Sequence, residues 1–103
     1  MAIEHHVYFW LKEEYKGEAE RAAFEAGLEK LFEIPQVVEG LWGTPAPVMD
    51  RPVIDKSWDY ALSMTFDTIA EQDIYQEDAD HHVFIESFKD TWERVLVMDV
   101  QPH

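Results

Sequence analysis

The sequence contains no cysteine, so disulfides, thiolate nucleophiles and cysteine-ligated metals are all excluded. Basic residues are scarce: 8 Lys and Arg stand against 22 Asp and Glu, a formal charge of −14. A chain this acidic repels phosphate backbones and anionic headgroups alike, which argues against nucleic acid or a membrane as partner. No apolar run approaches the ~18 residues of a spanning helix. The stretch from Met1 to Leu11 lacks the basic start and unbroken apolar run of a secretory signal, because Glu4, His5 and His6 interrupt it. A cytoplasmic setting is expected. Glycine is sparse too, and Gly17, Gly27, Gly40 and Gly43 fit no phosphate-cradling loop, nucleophile elbow or dinucleotide fingerprint. Nucleotide and serine-hydrolase chemistry are set aside, and nothing calls for an organic cofactor.

What remains is 103 residues, 47% hydrophobic and 14% aromatic, enough for one core and a single domain over residues 1–103. A chain of this length buries only roughly 60 to 70% of its extended surface on folding, so a partner subunit is plausible from size alone.

Ile3 to Lys12 reads as a strand. Ile3, His5, Val7, Phe9 and Leu11 share one face, and Glu4, His6, Tyr8, Trp10 and Lys12 share the other. From Glu18 to Phe32 the period changes: Phe24, Leu28, Leu31 and Phe32 form an apolar stripe opposite Glu18, Arg21, Glu25, Glu29 and Lys30. Ile34-Pro35 ends that helix. Val37 to Trp42 is a second strand, followed by a Pro-rich loop or lid at 44–57. Asp59 to Phe66 is a third strand with Tyr60, Leu62, Met64 and Phe66 on one face. Asp67-Thr68 caps a short helix to about Gln76. Asp78 or Asp80 caps a further helical run through Trp92, with His81, Phe84, Ile85, Phe88 and Trp92 along one face. Val95 to Val100 closes the chain as a strand. The order β-α-β-β-α-β predicts an α+β, ferredoxin-like fold: a four-stranded antiparallel sheet with helices on one face only. Tyr8 and Trp10 lie on the uncovered face, which predicts a homodimer packed sheet to sheet into an α/β barrel.

Several local patterns then point one way: Ile3-Glu4-His5-His6-Val7, Ile34-Pro35, the Asp59-Tyr60 to Phe66-Asp67 strand, and above all Tyr75, His81, Phe84 and Trp92 at their spacing. The chain resembles the stress-responsive dimeric A/B barrel family over nearly all of its length, and matches it least at 44–57. The resemblance implies homodimers whose sheets close face to face, mostly without an assigned activity. It also implies a distant similarity to the plant polyketide cyclases exemplified by olivetolic acid cyclase, which perform an aldol condensation between sheet and helices. The positions matching that pocket are His5, Tyr75 and His81. The family's bulky aromatic one turn after Phe24 is Gly27 here, which predicts a different pocket shape. In some members the resemblance implies a magnesium-type site on backbone carbonyls, at the positions of Leu31, Ile34 and Val37.

His81 lies on an apolar stripe, where burial holds an imidazole neutral, the form a general base requires. Tyr75 supplies a hydroxyl for a substrate carbonyl, and His5 faces the same side. Val7, Phe9, Phe24, Leu62, Phe84 and Trp92 are the expected walls of a pocket for a small apolar, carbonyl-bearing ligand. The plainer reading of the same residues is a core histidine bonded to a backbone carbonyl and a tyrosine at the core's edge. His5 and His6 point to opposite faces and cannot share a metal. His82 and Glu86 are spaced i, i+4, but no second paired motif completes a site. Three functions stay open: proton transfer in a ligand pocket, a non-catalytic structural dimer induced under stress, and a cofactor-free monooxygenase.

Overall fold

Every second side chain of the opening strand is buried, from Ile3 to Leu11, in a computed structural model that describes residues 2–103. The elements in order are β1 (Ile3–Leu11), α1 (Glu18–Leu31), β2 (Glu39–Gly43), β3 (Tyr60–Phe66), α2 (Ile69–Glu77), α3 (Ala79–Phe88) and β4 (Trp92–Val100). The strands form one antiparallel sheet in the order β2-β3-β1-β4. This is the ferredoxin-like arrangement, with β1 in the interior and hydrogen-bonded on both sides. His5 stands opposite Met64 on β3 and opposite Asp99 on β4.

The helix-side face of the sheet carries the core. Val7, Phe9, Leu62 and Met64 pack under Phe24, Leu28 and Leu31 of α1 and under Tyr75 and Phe84 of the later helices. Such burial contributes about 1.5–3 kcal/mol for each large apolar side chain. The break between α2 and α3 comes from capping. The Thr68 hydroxyl accepts from the Glu71 amide to start α2. Asp78, in an extended conformation, ends it and accepts from the Asp80 amide to start α3. Tyr75 is thereby placed in the last turn of one helix and His81 in the first turn of the next.

Three expectations need correction. The last helical run does not reach Trp92: it stops at Phe88, and residues 89–91 form a 3-10 turn in which the Thr91 hydroxyl donates to the Phe88 carbonyl. The Lys12 amide donates to the Thr91 carbonyl, which draws the chain into the sheet, so Trp92 opens β4 instead. The second strand begins later than Val37, because the Val37 amide is spent on a turn to the Ile34 carbonyl. Finally, Trp10 is covered by its own chain and does not by itself require a partner. Its indole N–H donates to the Ser57 hydroxyl at 2.9 Å, the Arg94 guanidinium lies 4.3 Å above its ring, and Trp58 packs edge-on against Tyr8. The 44–57 segment thus folds toward the sheet face opposite the helices. What stays uncovered on that face is Leu41, Met98 and Val100, all about half exposed or more.

Gly27 has a specific reason. A Cβ there would lie 2.5 Å from the Phe88 ring, so the missing side chain is the room in which Phe88 packs against α1. Gly27→Leu is expected to displace that ring and to lower stability by roughly 1–3 kcal/mol, read as a fall in the thermal midpoint. Asp59 ties the end of β1 to α1: its carboxylate accepts from the Leu11 amide at 2.8 Å and from Arg21 at 3.3 Å. Asp59→Ala strands that amide, and a loss of about 1–3 kcal/mol is expected in denaturant titration.

Candidate functional site

The helix layer does not reach the outer edge of the sheet. Val95 and Val97 of β4 face the helices, opposite Phe9 and Val7, yet are 37% and 49% exposed. Between that edge and α2–α3 lies a cavity of about 210 Å³. His5, Tyr75, His81 and Asp99 line it, with Val7, Phe9, Leu62, Phe84 and Trp92 among its walls. Three separate elements, β1, α2 and α3, therefore bring the expected histidines and tyrosine to one place. Trp92 reaches it from β4 rather than from a helix. Phe24 does not line it: its ring stands behind the wall, 5.1 Å from Phe9 and 5.8 Å from Phe84 between ring centroids. No residue of 44–57 lines the cavity either, so that segment is not a lid over it.

Tyr75 stands between the two imidazoles. Its ring centroid is 4.8 Å from that of His81 and 6.2 Å from that of His5, both nearly edge-on. Burial pushes the Tyr75 hydroxyl far above the usual phenol range, so it is a proton-bearing donor at any physiological pH. On the other side, His5 Nδ1 lies 2.5 Å from Asp99 Oδ1. A carboxylate only accepts, so Nδ1 carries the proton and the Nε2 atom of a neutral ring is left with a free lone pair. Gln72 donates to the same Asp99 oxygen at 3.1 Å.

His81 Nδ1 and Trp92 Nε1 are buried without a hydrogen-bond partner. An unsatisfied buried polar atom costs about 1–3 kcal/mol, and here both belong to residues lining one cavity. Burial lowers the His81 pKa, with His82 and His5 adding to the effect. Asp78 opposes it, as does the nearby Gln76 carbonyl, which does not come into hydrogen-bonding geometry with Nδ1. His81 is therefore held toward the neutral imidazole.

Asp99 and Gln72 were not foreseen. Gln72 precedes Tyr75 by one helical turn, a spacing open to reading. Asp99 reaches His5 only through the β1–β4 register, which no local pattern discloses. His6 lies on the opposite sheet face. His82 approaches Glu77 at 4.0 Å, and Glu86 pairs with Lys89. The Leu31 and Ile34 carbonyls each accept an amide in consecutive turns, from Ile34 and Val37. No group of three acidic or imidazole side chains converges among the described residues. The Leu31 and Ile34 carbonyls each keep a second lone pair, the kind of oxygen ligand a hard divalent cation takes. Among the described residues, no helix is long and apolar enough to cross a membrane.

Known proteins of the same shape agree with this architecture. A Dabb family protein with a ferredoxin-like fold from Mesorhizobium loti superposes with a TM-score of 0.80 at 26% identity, covering 99% of this chain and 97% of that one. A hydroxynitrile lyase from Passiflora edulis gives 0.83 at 19% identity, over 99% and 94%. A dimeric ferredoxin-like protein of unknown function from Thermobifida fusca gives 0.80 at 17%, over 99% and 92%. No curated protein matches the sequence significantly. The family model described as the stress responsive A/B barrel domain, Dabb, matches residues 3–102, and the chain belongs to that family.

Proposed function

We propose that the chain acts as a homodimer whose helix-side cavity takes a small, apolar, carbonyl-bearing molecule and moves a proton beside that carbonyl. The observation carrying this reading is the pair of orphaned nitrogens, His81 Nδ1 and Trp92 Nε1, on one apolar-walled cavity. An indole N–H can only donate, so it is satisfied by an acceptor such as a carbonyl oxygen; a neutral imidazole nitrogen can take a proton. A group carrying both needs answers both atoms at once.

In this reading the Trp92 N–H and the Tyr75 hydroxyl donate to the carbonyl oxygen as negative charge builds there. His81 removes the proton from the adjacent carbon, and His5, fixed by Asp99, bounds the other end of the ligand. The apolar walls strengthen each of these contacts by excluding water. A volume of about 210 Å³ falls below the roughly 300–1,000 Å³ of drug-sized sites and suits a one-ring or short-chain molecule. That a hydroxynitrile lyase from Passiflora edulis is built on this fold lends support, since a hydroxynitrile is the cyanide adduct of a carbonyl compound. Neighbours described as dimeric, from Thermobifida fusca and Bacteroides fragilis, support the homodimer together with the uncovered Leu41, Met98 and Val100.

The test is hydrogen–deuterium exchange at the α-carbon of small aryl ketones in D2O, followed by NMR. The protein is expected to accelerate exchange, His81→Gln to lower the acceleration roughly 100-fold or more, and Trp92→Phe chiefly to weaken ketone binding. Binding without accelerated exchange refutes the proton-transfer part. No binding of any ketone favours the non-catalytic dimer. Oxygen uptake with electron-rich aromatic substrates would speak for a monooxygenase. The pH dependence has a definite sign: with the His81 pKa below its usual 6.5, the accelerated rate should hold as pH falls through 6.5 and drop only further into acid. Stability should decline across the same interval, because the unfolded chain takes up the His81 proton first. His81→Gln should flatten that decline in denaturant titrations run from neutral to acid pH.

A further inference from the structure

The segment joining β2 to β3 exposes apolar side chains that nothing in the chain covers: Met49 is 86% exposed, Val53 82% and Val48 48%. It is nevertheless held in shape. Lys56 Nζ reaches Asp50 at 2.6 Å and the Val48 carbonyl at 2.5 Å, and the Ile54 amide donates to the Arg51 carbonyl at 2.9 Å. Pro45, Pro47 and Pro52 restrict the backbone further. Its stem, Ser57 and Trp58, is anchored on Trp10 and Tyr8, on the sheet face opposite the helices. The segment therefore springs from that face at its Tyr8 and Trp10 end.

Charge separates this region from the rest of the molecule. Residues 44–58 hold Asp50 and Asp55 against Arg51 and Lys56, no net charge, in a chain carrying −14. The helical layer is where the acids concentrate, among them Glu18, Glu20, Glu25 and Glu29 on α1. Two copies repel wherever those layers approach, and meet at least cost through the neutral segment and the sheet face beside it.

We propose that residues 48–53 form a clasp over a second copy of this chain, burying Met49 and Val53 against that copy beside the apposed sheets. This rests on the homodimer reading above and adds a second contact to it, outside the sheet faces. An ordered, neutral, apolar projection that springs from the sheet face opposite the helices is suited to a copy of itself, because both partners then hide the same kind of surface.

Sedimentation velocity across a dilution series tests the clasp, with Val83→Asp as the control on the 61% exposed outer side of α3. The unaltered chain is expected to dimerise, the double variant Met49→Asp with Val53→Asp to dissociate at roughly 100-fold higher concentration, and the control to match the unaltered chain. Far-UV circular dichroism checks that both variants fold. A double variant that dimerises as tightly as the unaltered chain overturns the clasp and leaves the dimer standing. An unaltered chain that stays monomeric at every concentration overturns the dimer reading, and the clasp with it. Because the chain has no cysteine, Met49→Cys carries a single polarity-sensitive fluorophore. Its emission should shift to the blue on dimerisation, and a label that stays in water within the dimer refutes the clasp independently.

Discussion

Everything in this fold depends on β1 being an interior strand, paired with β3 and β4. It is paired on both sides, so it has no freedom to slip: a shift of a single residue would turn Val7, Phe9 and His5 away from the helices and leave Glu4 and His6 in the core. The same register that buries Phe9 under Phe24 sets His5 opposite Asp99. Core and polar site are therefore fixed by one pairing, and the site inherits the rigidity of the sheet.

The helices add a compensating looseness. A single unbroken helix from Ile69 to Phe88 would fix Tyr75 and His81 in the relation of one continuous spiral. Asp78 divides it, and the new axis lets the two rings meet edge-on at 4.8 Å. The layer stops short of β4, and along that uncovered margin lie the valines and Asp99 that line the cavity. Two buried nitrogens without partners are a cost of about 1–3 kcal/mol each, and their placement on the same cavity is where sequence preferences and packing cease to agree.

Much of this was legible in the sequence where periodicity is strong. The alternation in β1 and β3, the stripe Phe24-Leu28-Leu31 and the capping residues Thr68 and Asp78 announce their elements locally, and the element order then names the topology. His5, Tyr75 and His81 were legible as a group only through resemblance to a family. Other features were not legible, for physical reasons. Trp92 continues the apolar stripe of a helix, and only the long-range Lys12–Thr91 hydrogen bond converts it to a strand. Asp99 looks like one more solvent carboxylate among many until a register 94 residues away in sequence places it on His5. Trp10 suggests an interface until the long loop is seen to return and cover it, a contact 47 residues apart in sequence.

The tyrosine wedged between two imidazoles has a consequence for how charge can move. Burial keeps the Tyr75 hydroxyl from ionising, so the ring carries no charge between the two nitrogen bases. His5 with its aspartate and His81 with its empty nitrogen are thus two isolated terminals. The two stand on one shared cavity, so the space itself, and not the ring, is what joins them.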